Sequence, residues 1–459
     1  MVVNETVLPV DHYIHGKWTP GASATKLALR SAVDDTIVTE NLTCANAADV
    51  EAAVQPAETA LPVWQALGPG KQRVLLNTFA QVIEENSHRL AYLESIVVGK
   101  PLSMGTNLEV PNLAELFRYF AGFIDKIDGD MTFTEDGFLR GVIHQPLGVC
   151  AAIIPFNSPL ITFGMKVAPA LATGNVVIVK PSEFNPLSAL ALGELASKAG
   201  IPYGVINVIS GAGEAGAALS SHPRIRKISF TGSPVIGRHI QVAAARSSLK
   251  RVTLELGGKS PVLIFRDARL ENAVQHAMSY VVFNGQGCCL GTRIMVEDAI
   301  AEQFVRLLKE KSDAFAATLG SDPMDPKTAS SPLYHHKQRD SVVDFLESGA
   351  TWSDKGCYIL PTIFYKPQPG ADVTFHTESE AIERANQTEY GLGGYIFTES
   401  IDRALRLTKA LEVGTIGVNT SISTHTTLPF RGWKGSGIGT ENTKYVLRAY
   451  TQPKSIAMQ

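Results

Sequence analysis

Four apolar runs, each ending in a loop of glycine, proline and polar residues, constrain this chain more than any other feature. Gly148 to Pro155 is almost unbroken apolar sequence, the pattern of a parallel strand buried on both faces. It ends at Pro155-Phe-Asn-Ser-Pro159. Val176 to Val179 ends at Lys180-Pro-Ser-Glu183, and Val205 to Ile209 is followed by Gly211-Ala-Gly-Glu-Ala-Gly216. Lys227 to Phe230 ends at Thr231-Gly-Ser-Pro-Val-Ile-Gly237. Strands alternating with helices in this way predict a doubly wound α/β domain.

Helical spacing precedes these runs. Val50, Ala53, Val54, Ala57, Ala60 and Leu61 recur at intervals of three and four, with Asn46 as a cap. A longer helix is predicted over roughly Lys71 to Val98, and another near Pro111 to Ile127. His15 to Gly21 reads as a strand and turn. Thr132 to Pro146 alternates around Asp136-Gly137, a hairpin signal. A chain of 459 residues and 49.3 kDa is too long for one core, so two or more domains are expected. A net charge of −3 gives no reason to expect nucleic acid or an anionic membrane as partner. Met1 to His15 has no basic region followed by a long apolar run, and no stretch is apolar for long enough to span a bilayer. Of the five cysteines, Cys288 and Cys289 are adjacent, too close for an ordinary disulfide, so thiols and a reducing cytoplasm are expected.

Two glycine loops compete for a phosphate-bearing cofactor. Gly211, Gly213 and Gly216 match G-x-G-x-x-G letter for letter. That fingerprint needs an acidic residue about 20 positions on for the ribose, and Ser220 to Ser233 contains none. Lys180 and Glu183 leave a strand together, and a glutamate there suits ribose hydroxyls. The Gly232 to Gly237 loop opens a helix, whose free N–H groups suit a pyrophosphate. Ser233 also reads as a plain helix cap.

Two further stretches carry chemistry. Phe283 to Arg293 sets Cys288 in a glycine-rich turn after the apolar run Ala277 to Phe283. Val252 to Pro261 sets Glu255 at the end of an apolar strand before two glycines. Singly, a cysteine here reads as a small buried hydrophobe and a glutamate beside Gly-Gly as a turn residue. Together they form a nucleophile and a base, the minimum for covalent catalysis. Leu254 to Pro261 (Leu-Glu-Leu-Gly-Gly-Lys-Ser-Pro) and Gly285 to Arg293 (Gly-Gln-x-Cys-x-x-Gly-x-Arg) resemble the two signatures of the aldehyde dehydrogenase superfamily. Glu255 precedes Cys288 by 33 residues, which fits that family.

The resemblance covers nearly the whole chain. It implies an aldehyde dehydrogenase-like α/β fold of two doubly wound domains with a small β oligomerisation element. The cofactor-binding domain would comprise 1–130 and 147–256, the catalytic domain 257–424, and the oligomerisation hairpin and strand 131–146 and 443–459. Tyr445 to Ile456 would be a strand pairing with a second subunit in a homodimer or homotetramer. Cys288 would attack the aldehyde as a thiolate. Asn157 and the Cys288 N–H would hold the oxyanion, and Glu255 would activate water to release a carboxylic acid. NAD, with NADP as an alternative, would contact Ile153, Pro155, Phe156, Lys180, Ser182, Glu183, Gly213, Phe230, Gly232, Ser233, Ile236, Gly237, Leu256 and Gln338. Ser158, Met165, Cys289 and Phe430 would line the substrate tunnel, with Ser421 to Phe430 at its mouth, and smaller walls there suggest a bulky or aromatic aldehyde. His335-His336 invite a metal reading, but adjacent residues on a helix do not face one another, so a solvated surface is preferred.

The chain departs from the family twice. A loop between Thr351 and Gly356 is short. Between Val373 and Thr374 the family has a segment containing Glu-x-Phe-Gly-Pro, whose Glu holds the nicotinamide ribose and whose Phe packs on the nicotinamide. This absence is read as residues omitted from the sequence, so that a longer polypeptide is expected. A true deletion would favour a member without dehydrogenase activity, serving a structural or binding role or acting as a thiol esterase.

Overall fold

The run read as a buried strand forms Val149–Ile154, and all six of its side chains are buried. It lies inside an eight-stranded sheet. The parallel part runs in the spatial order Arg251–Glu255, Lys227–Thr231, Val149–Ile154, Val176–Pro181, Ile206–Val208. Gly437–Ile438 adds antiparallel at one edge, and the hairpin His12–Ile14 and Lys17–Thr19 at the other. The computed structural model describes residues 7–346, 356–365, 374–421 and 424–459.

Helices cover both faces of this sheet. Ala47–Ala66 starts with the predicted cap: the Asn46 side chain accepts from Ala48 N and Asp49 N, and Asp49 accepts from Asn46 N at 3.0 Å. Such a cap is worth about 1 kcal/mol. The single long helix expected over Lys71 to Val98 is two, Gly68–Glu85 and Ser87–Val98. Asn86 explains the break, because its side-chain amide donates to Val82 O at 2.7 Å and competes with the backbone ladder. The helix expected near Pro111 to Ile127 is shorter, Val110–Ala121.

A second, all-parallel sheet has five strands, in the order Thr374–Phe375, Gly291–Glu297, Ser260–Ile264, Gly393–Phe397, Thr415–Val418. Pleating sends alternate residues of its central strand to opposite cores. Val262 and Ile264 pack with Ala273, Val274, Phe304 and Leu308 of the helices Leu270–Ala277 and Ala301–Ala316. Leu263 and Phe265 pack with Ala381, Ala385 and Leu407 of Glu378–Asn386 and Ile401–Ala410. Two doubly wound sheets are therefore present.

The hairpin signal at Asp136-Gly137 joins Asp130–Phe133 to Leu139–Pro146, and Thr451–Met458 adds antiparallel to the latter. The C-terminal strand begins later than expected. Lys444–Ala449 is a short 3-10 helix, with Thr443 Oγ1 accepting from Tyr445 N. Val446, Leu447 and Tyr450 are buried in the core of the first sheet, which holds this stretch off an extended path.

The sequence runs directly from Val373 to Thr374, without the Glu-x-Phe-Gly-Pro segment. Thr374–Phe375 pairs directly with Gly291–Glu297. Residues 347–355, which include the first departure, and 366–373 lie outside the described residues.

Candidate active site

The strand order of the first sheet reverses between Lys227–Thr231 and Val149–Ile154, which are adjacent and parallel with Phe230 opposite Ile153. Open α/β sheets bind ligands at the carboxyl ends of strands at such a reversal. The loop after Val149–Ile154 carries Pro155, Phe156, Asn157 and Ser158 into the helix Pro159–Ala172. The loop after Lys227–Thr231 carries Gly232 and Ser233 into Pro234–Ser247. A Cβ at Gly232 would lie 2.4 Å from the Phe230 ring, so this loop closes only with glycine. Ser233 is a helix cap, its side chain accepting from Ile236 N at 3.4 Å. Gly237 packs against Leu256.

At the next strand end Lys180 Nζ donates to Pro181 O at 2.8 Å and lies 3.7 Å from Glu183. Burial pushes the lysine's pKa down. Ser182 Oγ accepts from Phe184 N at 3.3 Å. Gly213 starts the helix Gly213–Ser221, and a Cβ there would meet open space. The helix of Gln338, His336–Leu346, belongs to the later part of the chain. Tyr334, just before it, stacks on Phe156 with ring centres 3.8 Å apart and meets Phe184 edge-on at 5.0 Å. The solvated-surface reading of His335-His336 needs correction: His335 packs on Phe184 at 5.0 Å and His336 bonds Asp35.

The two signatures lie against each other. Glu255 ends its strand opposite Thr231, and a Cβ at Gly258 would sit 2.6 Å from the Cys288 carbonyl oxygen. Asn157 Nδ2 donates to Gln286 O at 2.7 Å, so the oxyanion candidate is tied to the nucleophile loop. Gln286 Nε2 donates to Phe283 O and Pro332 O, while its Oε1 accepts from Tyr334 N. Cys289 O accepts from Tyr395 Oη at 2.6 Å. A hydrogen bond with Cys289, then burial, then nearby Glu255 push the Cys288 thiol well above its ordinary pKa, and the largest influences include no cation.

Glu255 is 2% exposed, and neither carboxylate oxygen accepts a hydrogen bond from the described residues. Burial first, then Glu441, raises its pKa well above the usual carboxylate range, against the opposing pull of Lys166 and Arg431. Sequence reasoning missed the cluster behind it. Lys166 is fully buried and pairs with Glu441, with Ser229 Oγ 3.1 Å from each. The available signal was a lone lysine in the otherwise apolar helix Pro159–Ala172, since a buried ammonium needs a partner. Met165 and Phe430 are buried in the same core, and Phe430 exchanges both backbone hydrogen bonds with Glu441. Ser158 and Cys289 are half-buried at the cleft; residues 422 and 423 of the expected tunnel mouth lie outside the described residues.

The raised pKa of Glu255 has a stability consequence. The folded state keeps a proton that the unfolded chain releases above about pH 4.3. Stability therefore falls as pH rises from there toward the folded-state pKa. Glu255→Gln removes that slope. The variant is expected to melt higher than the native protein, by a larger margin at pH 8 than at pH 5. Equal margins in thermal melts at both pH values would show that the carboxyl is already ionised when folded.

A model of the aldehyde dehydrogenase family matches residues 18–456. Human retinal dehydrogenase 2 is 40% identical over 445 residues, covering 90% of this chain and 85% of that one. That alignment is longer than 90% of these 459 residues, so the relative has residues where this chain has none. Among solved structures, an indole-3-acetaldehyde dehydrogenase of P. syringae in complex with NAD+ and IAA superposes with TM-score 0.93, at 32% identity and covering 99% of this chain and 97% of that one. An NADP-dependent enzyme of E. coli superposes with TM-score 0.92, at 32% identity, covering 98% of each. The chain belongs to the aldehyde dehydrogenase family. Its activity is the NAD(P)-dependent oxidation of an aldehyde to a carboxylic acid. No helix among the described residues is long and apolar enough to cross a membrane.

Proposed function

We propose that Cys288 is the nucleophile, Glu255 the base and Asn157 the oxyanion donor of this oxidation. The observation that carries the reading is the buried Glu255 carboxyl, with no hydrogen-bond partner among the described residues, near the Cys288 thiol, whose loop Asn157 is hydrogen-bonded to. The Cys288 sulfur bonds the aldehyde carbon as its proton passes to solvent. The second Asn157 N–H and the Cys288 N–H hold the oxygen as charge grows on it. A bound NAD would supply the hydride acceptor, and Cys288 would then hold the acyl group as a thioester. Glu255, once ionised, takes a proton from water, which attacks the thioester and releases acid and thiol.

The crevice residues fit a dinucleotide. A helix N-terminus opens at Ser233, glycine at 232 keeps the loop low over Phe230, and Glu183 is half-exposed at the adjoining strand end. Ile153, Pro155, Phe156, Lys180, Ser182, Gly213, Ile236, Gly237, Leu256 and Gln338 complete the proposed contacts. Ser158, Met165, Cys289 and Phe430 are the proposed substrate walls. Glu183 would face the ribose 2′-hydroxyl and repel a 2′-phosphate. Steady-state kinetics are therefore expected to show kcat/KM for NAD roughly tenfold or more above NADP, and equal values would remove Glu183 from the ribose.

The division into a cofactor domain, a catalytic domain and the three-stranded element is proposed as drawn from the sequence. Homo-oligomerisation through that element is supported by exposed Met131 and Phe133, 59% and 84% accessible. A cytoplasmic location is proposed from the free thiols. One observation favours a second reading, thiol esterase activity: the segment assigned to the nicotinamide ribose is absent. Ester hydrolysis without cofactor, and no aldehyde oxidation with it, would establish that reading.

A further inference from the structure

Three segments far apart in sequence meet at one polar point beside the cleft. The turn between the strands Lys26–Arg30 and Ile37–Thr43 brings Asp35, the first turn of His336–Leu346 brings His336, and residues 356–358 bring Cys357. His336 Nε2 bonds Asp35 Oδ1, and the donor atoms of all three side chains lie within 4.8 Å of one another. Among the described residues this is the one such group. Cys357 is 1% exposed, while Asp35 and His336 are half-buried and open on one side.

Backbone contacts hold each arm. Cys357 N donates to Ala32 O at 2.9 Å, and Cys357 O accepts from Leu333 N at 2.9 Å. Asp35 N donates to Ser31 O at 3.0 Å, and Asp35 O accepts from Arg30 Nη1 at 3.0 Å. Arg339, one turn along from His336, donates to Gly356 O at 3.1 Å. The arms are thus braced against one another before any ligand arrives.

The donor set is one sulfur, one imidazole nitrogen and one carboxylate oxygen. Magnesium and calcium take oxygen shells, whereas this mixture suits zinc and its neighbours. Bonds of about 2.0–2.3 Å in a tetrahedral shell put donors roughly 3.5 Å apart, so the bonded His336–Asp35 pair would open slightly to admit an ion, within the spread the three donors already have. We propose that Asp35, His336 and Cys357 bind a transition-metal dication of the zinc class, with a fourth position left to water. Binding converts the Cys357 thiol to a thiolate and releases its proton to solvent. The ion ties the turn after Lys26–Arg30 to the helix that follows Tyr334, which stacks on Phe156 at the cleft. It therefore pins the entrance of the cleft, outside the residues that react.

Cobalt(II) titration of the chelator-treated full-length protein reads the site through the sulfur-to-cobalt absorption band. One equivalent is expected to bind. Cys357→Ser is expected to abolish the band, His336→Ala to weaken cobalt binding by roughly tenfold or more, and Cys288→Ala to leave both intact. Asp35→Asn, which keeps the shape of the side chain, is expected to weaken binding while circular dichroism stays native. That arm decides the matter if Cys357→Ser does not fold. A band that survives Cys357→Ser, or disappears in Cys288→Ala, or native affinity in both His336→Ala and Asp35→Asn, would overturn the proposal. The group would then be an ordinary Asp–His pair beside a buried thiol.

Discussion

Replacing Cys288 by alanine is expected to abolish aldehyde oxidation and any ester hydrolysis, while binding of NAD, followed by fluorescence titration, persists. The expectation rests on placement. Cys288 lies on a loop held by Gln286, against Gly258 on one side and the Asn157 side chain on the other. The covalent route requires its sulfur, and losing a nucleophile costs several orders of magnitude in rate. Cys289→Ala should keep most turnover, because the backbone carbonyl of Cys289, bonded to Tyr395, is unaffected by the change. The two thiols do interact, and Cys289 is the largest influence holding the Cys288 thiol protonated. The Cys289→Ala enzyme is therefore expected to reach full rate at lower pH than the native one. Reversal of the two variants' behaviour would place the nucleophile at Cys289.

The second large effect belongs to Glu255. Glu255→Gln preserves size but cannot accept a proton. Rapid mixing with aldehyde and NAD is expected to give one burst of reduced cofactor, about one per active site, followed by arrest with the thioester in place. The native enzyme's thioester hydrolysis should rise with pH, because burial and Glu441 keep the carboxyl protonated well above its usual range and only the ionised form acts as base. Loss of the burst as well as of turnover would assign Glu255 an earlier task, removing the proton from a thiol that the structure holds high.

What was legible in the sequence follows from how local each signal is. Val149–Ile154 announced itself by an unbroken apolar run, and Asn46 by its place as a cap just ahead of the helical spacing. The motif around Glu255 and the motif around Cys288 carry chemistry in their own letters. Asn86 breaks a helix through a side-chain bond to Val82, which no hydrophobic period reports. Lys166 gains meaning only when Glu441, 275 residues away, folds onto it. Gln286 was read as a motif letter, yet its side chain ties Phe283, Pro332 and Tyr334 together. The raised thiol of Cys288 depends on burial and on neighbours brought in by both signatures. Asp35, His336 and Cys357 share no local pattern, since their meeting is made wholly by the tertiary fold.

The absent segment makes one measurement decisive. Purified protein is incubated with NAD or NADP and a panel of aliphatic, aromatic and bulky aldehydes, and reduced cofactor and carboxylic acid are both quantified. At least one aldehyde is expected to give the two products in equal amounts, with NAD preferred, and Cys288→Ala to give neither. Ester hydrolysis that depends on Cys288, with no reduced cofactor from any aldehyde, would contradict the dehydrogenase reading of this site.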